Sequence, residues 1–150
     1  MVVQCRAAPE HFWCQHHNGI FRSTDGAATW QEIEAVVPSA FGFATVVHPE
    51  RPETAWFVPA IADQARYPVD GKVVVTRTVD GGENFTVHRQ GLPQQHAYDL
   101  TLRHALAVDA TGSRLAFGST TGSMWISEDG ADSWAEISAH LPPVYCLRFA

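Results

Sequence analysis

The sequence predicts an all-β chain of repeated four-stranded antiparallel sheets, fanned as the blades of a propeller. Three observations carry that prediction. One short phrase occurs three times, as STDGAATW (Ser23 to Trp30), TVDGGENF (Thr78 to Phe85) and SEDGADSW (Ser127 to Trp134). A proline follows the last aromatic of each phrase by eight residues, at Pro38, Pro93 and Pro142. No stretch sustains a 3.6-residue apolar period with capping residues, so helices are not expected.

Each phrase has the chemistry of a braced turn. Asp25, Asp80 and Asp129, spaced 55 and 49 residues apart, can accept hydrogen bonds from backbone N–H groups ahead of them. Gly26, Gly81 and Gly130 permit the positive φ that a tight reversal needs. Ser23, Thr78 and Ser127 add a hydroxyl. Trp30, Phe85 and Trp134 are expected to fold back on the hairpin and bury a large apolar area. Calcium binding at the aspartates is the weaker reading, because each phrase offers one carboxylate and not an oxygen cage.

The flanking segments read as strands. GIFRS, KVVVTRT and SMWIS precede the phrases; HFWCQHH, TAWFVPAI and RLAFGST lie further upstream; VVQCRA, FATVVHPE and HALAVDAT come before those. QEIEAVV, TVHRQGL and AEISAHL follow the phrases. Each unit therefore holds four short strands, and the braced turn joins the third to the fourth. Units of this size and content, repeated, are propeller blades.

The three phrases resemble the Asp-box, or bacterial neuraminidase repeat, Ser-x-Asp-x-Gly-x-x-Trp. The first and third carry its Ser, Asp and Trp; the second substitutes Thr78 and Phe85. The glycine position drifts from the pattern. The resemblance runs blade by blade along the whole chain. It implies a propeller of sialidase-like or related YVTN/WD40-like repeat type, with the boxes as structural turns away from any active site. Sialidase activity would need an arginine cluster and a tyrosine paired with a glutamate, and no glutamate lies in either long loop of this chain.

The blades are expected at about 1–38, 39–93 and 94–142 of one partial propeller, with 143–150 as the inner strand of an incomplete or ring-closing blade. Propellers typically close with four to eight blades. The chain therefore either belongs to a longer ring or is completed by other copies, and its open edges predict self-association.

A propeller sends its second-to-third-strand links and its inter-blade links to one face. Both insertions in this chain fall there. The second blade carries about twelve extra residues in IADQARYPVDG, and the link into the third carries six in GLPQQHAYDLTLRH. Long loops on a rigid scaffold are where binding residues concentrate. The candidate ligand-binding residues are His16, His17, Arg66, Tyr67, His96, Tyr98, Arg103 and His104, the arginines for anionic groups and the tyrosines for stacking. The favoured function is a module that binds a small molecule, glycan or protein. The alternative is a glycoside hydrolase with Asp63 and Asp99 as its carboxylate pair. A metal site at the histidines is disfavoured, because neighbouring histidines on a strand point to opposite faces. No cofactor is called for.

The 150-residue chain is 45% apolar with a net charge of −6, and Lys72 is its only lysine. A chain with so few cations has no stripe for nucleic acid. No apolar run reaches membrane-spanning length. No leader of charged, apolar and small residues opens the chain, as expected of a cytoplasmic protein. Cys5, Cys14 and Cys146 do not form a disulfide framework. A hairpin turning at Pro9–Glu10 would set Cys5 opposite Cys14, so a bridge there stays open beside the plainer reading of two reduced thiols.

Overall fold

The computed structural model describes residues 1–150. Twelve strands form three separate four-stranded antiparallel sheets, each in sequential strand order. The first sheet holds β1 (Val2–Gln4), β2 (Phe12–His16), β3 (Gly19–Ser23) and β4 (Gln31–Ile33). The second holds β5 (Gly42–Val47), β6 (Ala55–Pro59), β7 (Val75–Thr78) and β8 (Thr86–His88). The third holds β9 (Leu106–Val108), β10 (Leu115–Gly118), β11 (Met124–Ser127) and β12 (Ala135–Ser138). The one helical element is a 3₁₀ turn at Val69–Gly71. The fold is an open set of three propeller blades.

Sequence dictates which face of each sheet meets its neighbour. Strand side chains alternate, and directly paired residues share a face. The register Trp13↔Arg22↔Gln31 puts that row on one face of the first sheet, with Ile20 and Ile33 beside it. Trp13, Ile20 and Ile33 pack on Val47, Ala55, Phe57 and Phe85 of the second sheet. The opposite face of the second sheet, with Val46, Trp56, Val58 and Val75, packs on Leu106, Leu115, Phe117, Trp125 and Trp134 of the third. Trp13, Trp56, Trp125, Phe57 and Phe117 are almost wholly buried at these two seams. Each such ring contributes roughly 1.5–3 kcal/mol relative to exposure.

The three corners share one hydrogen-bond plan. Ser23, Thr78 and Ser127 each donate a hydroxyl to Oδ1 of the aspartate two residues on, at 2.8, 2.9 and 2.8 Å. Each hydroxyl also accepts the N–H of the residue four ahead, Ala27, Gly82 or Ala131. Oδ1 of Asp25, Asp80 and Asp129 accepts the N–H of Thr29, Asn84 and Ser133. The second oxygen takes the side chain of the same residue. Both oxygens of each carboxylate thus brace the turn from within. The side chain and N–H of Thr29 hold Asp25 down at a pKa of about 2, and those of Asn84 do the same for Asp80. Burial pushes Asp129 up, but hydrogen bonds from Ser133 and Ser127 outweigh it and its pKa is lowered.

Several expectations need correction. Two successive residues at each corner, not one glycine, occupy the left-handed region: Gly26 and Ala27, Gly81 and Gly82, Gly130 and Ala131. The drift of glycine in the sequence reflects this pair. Trp134 is 5% exposed but Trp30 is 39% exposed, because no sheet lies on that side of the first blade. The hairpin between β1 and β2 pairs Gln4 with Phe12 and Val2 with Cys14, so Cys5 and Cys14 are not opposite. The turn tightens around Ala8 through His11 N–H to Ala8 O, three residues out of the symmetric register, and all three cysteines are free thiols. Cys5 is buried against the carbonyls of His48 and Pro49. Finally, 143–150 is not a full strand. It lies extended beside the third sheet and makes one parallel bridge, His104 to Cys146.

Candidate functional site

The site is built on the end of the sheets where the long loops emerge. Gln15, buried at the end of β2, donates Nε2 to Ala40 O at 2.9 Å and to His16 O at 2.8 Å. This ties the turn after β2 to the link into the second blade. Gly42 at the start of β5 makes the approach possible, since a Cβ there would sit 3.1 Å from Val58 O and 3.3 Å from Gln15 Oε1. Phe41 and Phe43 flank that glycine and form a small buried cluster with Ala60, capped by Leu100 and Leu102.

The two insertions fold onto one another. Ala97 N–H donates to Gly71 O at 3.0 Å. The Tyr67 and Tyr98 rings lie 5.7 Å apart. Their far ends converge on Phe43, with the Arg66 and Arg103 guanidiniums 5.4 and 5.5 Å from its ring centre. The His17 ring packs edge-on to Phe43 at 5.2 Å, and Arg103 Nη2 donates to His17 Nε2 at 3.2 Å. A cavity of about 230 Å³ opens here between Met1, Gln15, His17, Phe43 and Arg103.

The charges in this cluster are not equivalent. Arg66 is held by Asp63, through Nε to Oδ1 at 3.1 Å. Arg103 has no carboxylate partner; its neighbours are a histidine nitrogen and an aromatic face. The cluster therefore presents an uncompensated guanidinium, with a second one nearby, over an apolar floor. Such an arrangement takes a carboxylate or another planar anion, which a guanidinium grips through paired hydrogen bonds.

Of the residues expected from sequence, His16, His17, Arg66 and Arg103 are gathered around this end of the molecule, and Tyr67 and Tyr98 form the adjoining aromatic pair. His104 lies apart, its carbonyl accepting Leu147 N–H of the C-terminal segment. His96 sits in the left-handed region (φ 51°) at the contact between the two loops. Asp63 is engaged by Arg66. Asp99 accepts from the Ser119 hydroxyl at 2.8 Å and from Thr121. Those bonds give both carboxylates structural work. Phe43, the floor of the site, was not singled out from sequence; its signal was the FGF alternation that opens β5. No three His, Cys, Asp or Glu side chains are grouped to share a metal ion.

A second cavity, about 470 Å³, opens where the inner strands converge, beside Arg6, Asp109, Arg114 and Phe149. Of its two arginines, Arg114 is held internally, donating Nε to Asp109 Oδ2 at 3.0 Å, while Arg6 pairs with no carboxylate. Burial raises the Asp109 carboxyl, but hydrogen bonds from Thr111 and Arg114 outweigh that and bring its pKa to about 2.

No protein-family model and no curated protein matches the chain. Solved structures do, as folds. The structure of YCF48 bound to D1 peptide superposes with a TM-score of 0.66 at 14% identity, covering 95% of this chain and 42% of that one. An ancestral GH74 enzyme gives 0.68 at 14% identity, covering 93% of this chain and 18% of that one. The GH74 xyloglucanase from Xanthomonas campestris gives 0.65 at 20% identity, covering 89% and 20%. The chain thus spans less than half the length of each. These likenesses establish the β-propeller architecture, shared by hydrolases and by a peptide-binding protein.

Proposed function

We propose that the chain is a propeller module that binds an acidic peptide segment of a partner protein on its long-loop face. The three corners serve as Asp-boxes, bracing the blades without touching the ligand. The observation that carries the reading is Arg103, stacked on Phe43 and paired with no carboxylate, beside Arg66. A peptide carboxylate would bridge toward the two guanidiniums while an apolar side chain rests against the exposed Tyr67–Tyr98 pair. Arginine and tyrosine are the residues on which protein interfaces concentrate their binding energy. The site is open and shallow, which suits a chain segment better than a sugar ring enclosed between two catalytic carboxylates. The YCF48 neighbour, with its bound peptide, is in keeping with this use of the fold.

The test is fluorescence anisotropy with a labelled hexaglutamate peptide carrying one phenylalanine, against the same peptide with glutamines. Binding of the acidic probe should weaken on Arg103→Ala at least about ten-fold, the effect expected for losing one charge-assisted contact. Arg89→Ala, outside the cluster, should leave it unchanged. Equal binding of both probes, or competition by free glucuronate in preference to peptide, would refute the assignment.

A further inference from the structure

One hydrogen bond on the long-loop face fixes the protonation of both its partners. Arg103 Nη2 donates to His17 Nε2 at 3.2 Å. A guanidinium has no acceptor and does not give up its proton, so His17 Nε2 must supply the lone pair and the ring is neutral. The contact joins the turn after β2 to the link into the third blade, 86 residues further along the chain. The imidazole is half-buried, edge-on to Phe43 at 5.2 Å and tilted against Phe41 at 6.3 Å. With Arg103 it lines the cavity of about 230 Å³ at this end of the molecule.

The titratable and charged groups that face this ring offer it no free anion. On its own turn the His16 ring stands 5.8 Å away. Arg103 comes from the link into the third blade. Arg66 comes from the insertion of the second blade, shares the Phe43 face and is held by Asp63. The Met1 ammonium lines the same cavity and donates to Gln15 O at 2.9 Å. The start of β5 brings only Phe41 and Phe43. The ion pairs that involve histidine are at His11 and His88, and none reaches His17. A proton added to His17 therefore takes the acceptor away from Arg103 and sets two cations against each other over an apolar floor. An anion seated between them reverses the sign: both groups then donate to it, and the added charge holds it more tightly.

We propose that the long-loop site takes up a proton together with its ligand, His17 becoming a second cationic arm beside Arg103. The inference rests on the acidic-segment reading above and adds a direction to it: affinity for a carboxylate rises as the pH falls through the range in which histidines titrate. Histidine is the side chain whose charge ordinarily changes between pH 5 and 8. Without an anion, Arg103 keeps the ring neutral. With a carboxylate in place, a proton from solvent converts Nε2 from acceptor to donor, and the N–H that Arg103 spent on the ring turns to the ligand. One proton thus gives the ligand two new donors. The linkage is reciprocal: whatever draws the proton onto His17 draws the anion into the site.

Calorimetry with the hexaglutamate–phenylalanine probe, run at about pH 6.8 in two buffers of different ionisation enthalpy, counts the protons taken up on binding. Anisotropy at about pH 7.2 and about pH 6.0 reads the affinity; glutamate carboxyls stay ionised across that interval, and α-amino groups ordinarily titrate above it. The wild type should take up a fraction of a proton and bind at least about three-fold more tightly at the lower pH. His17→Gln keeps an acceptor for Arg103 but cannot be charged. It should still bind at the higher pH, with no uptake and no pH slope. His16→Gln should retain both. Circular dichroism at each pH checks that the chains are folded. Binding that ignores pH and takes up no proton overturns the inference and leaves the acidic-segment reading standing. Uptake that persists in His17→Gln places the proton on another group and overturns it as well. No binding at either pH overturns the acidic-segment reading, and this inference with it.

Discussion

Arg77 Nη2 lies 3.0 Å from Asp132 Oδ1, joining the third strand of the second blade to the corner of the third. The same guanidinium donates to Gly130 O, which also accepts from Trp56 Nε1 at 3.0 Å. The corner of one blade is thus the docking surface for the blade before it, and the brace that shapes the turn also shapes the seam.

That arrangement separates two energies. Asp132 is 60% exposed at its side chain, so its ion pair is screened by water. Arg77 is mostly buried, and removing it leaves Gly130 O with one donor. Arg77→Met should cost about 1–2 kcal/mol in urea unfolding, whereas Asp132→Ala should cost less than about 1 kcal/mol. Equal losses would mean that the ion pair, and not the carbonyl contact, holds the seam.

The corner hydroxyl is the centre of each brace. Ser127 is 1% exposed, donates to Asp129 and accepts Ala131 N–H. Ser127→Ala leaves a buried N–H without its acceptor, and should destabilise the chain by about 1–2 kcal/mol in the same assay. A neutral result would show that the turn does not depend on the hydroxyl.

Backbone strain sits at two alanines. Ala27 has φ 69° and Ala131 has φ 85°, where a Cβ is disfavoured. Ala27 is exposed, so Ala27→Gly should relieve strain and stabilise by about 0.5–1 kcal/mol. Ala131 is wholly buried in the seam, and Ala131→Gly should be near neutral because the relief is offset by the lost methyl, worth about 0.8 kcal/mol. Thermal denaturation of the two variants distinguishes these outcomes.

Acid should unfold the chain in two stages. His48 Nδ1 accepts the N–H groups of Glu50 and Arg51, and its ring stacks on Trp56. Burial, then Arg51, lowers its pKa from the usual 6.5; burial, then Arg77, lowers that of His88. The unfolded chain therefore takes up protons first, and stability falls as the pH drops below about 6.5. Asp25, Asp80 and Asp109, held at about 2, add stability that is complete above the unfolded value of 3.8 and is lost as pH falls toward 2. Melting temperature measured from pH 8 to 2 should show both declines, and His48→Asn should flatten the first. A flat profile between pH 7 and 5 would contradict the burial of neutral histidines.

The sheets were legible because their information is local. Twelve short strand segments and three braced turns are written within windows of a few residues, and the strands fall inside the segments expected to hold them, except that β5 opens one residue early, at Gly42. The long-loop face was legible from loop length alone. What escaped depends on distant parts of the chain. Phe43 reads as an ordinary strand residue until β5 brings it under Arg66 and Arg103. Trp30 and Trp134 carry the same local signal, yet one is covered and the other is not, since cover comes from the neighbouring sheet. The β1–β2 register follows the burial of Trp13 and Cys5 against the second blade, which no symmetric reading of the hairpin could supply. VYCLRF has strand character but only one edge to pair with.

The most direct test of the binding face is residue-by-residue NMR shift mapping of the acidic hexaglutamate–phenylalanine probe on the 150-residue chain. The shifts should cluster at His17, Phe43, Arg66, Tyr67, Tyr98 and Arg103. Shifts confined to the channel beside Arg6 and Arg114, or none at millimolar probe, would contradict it.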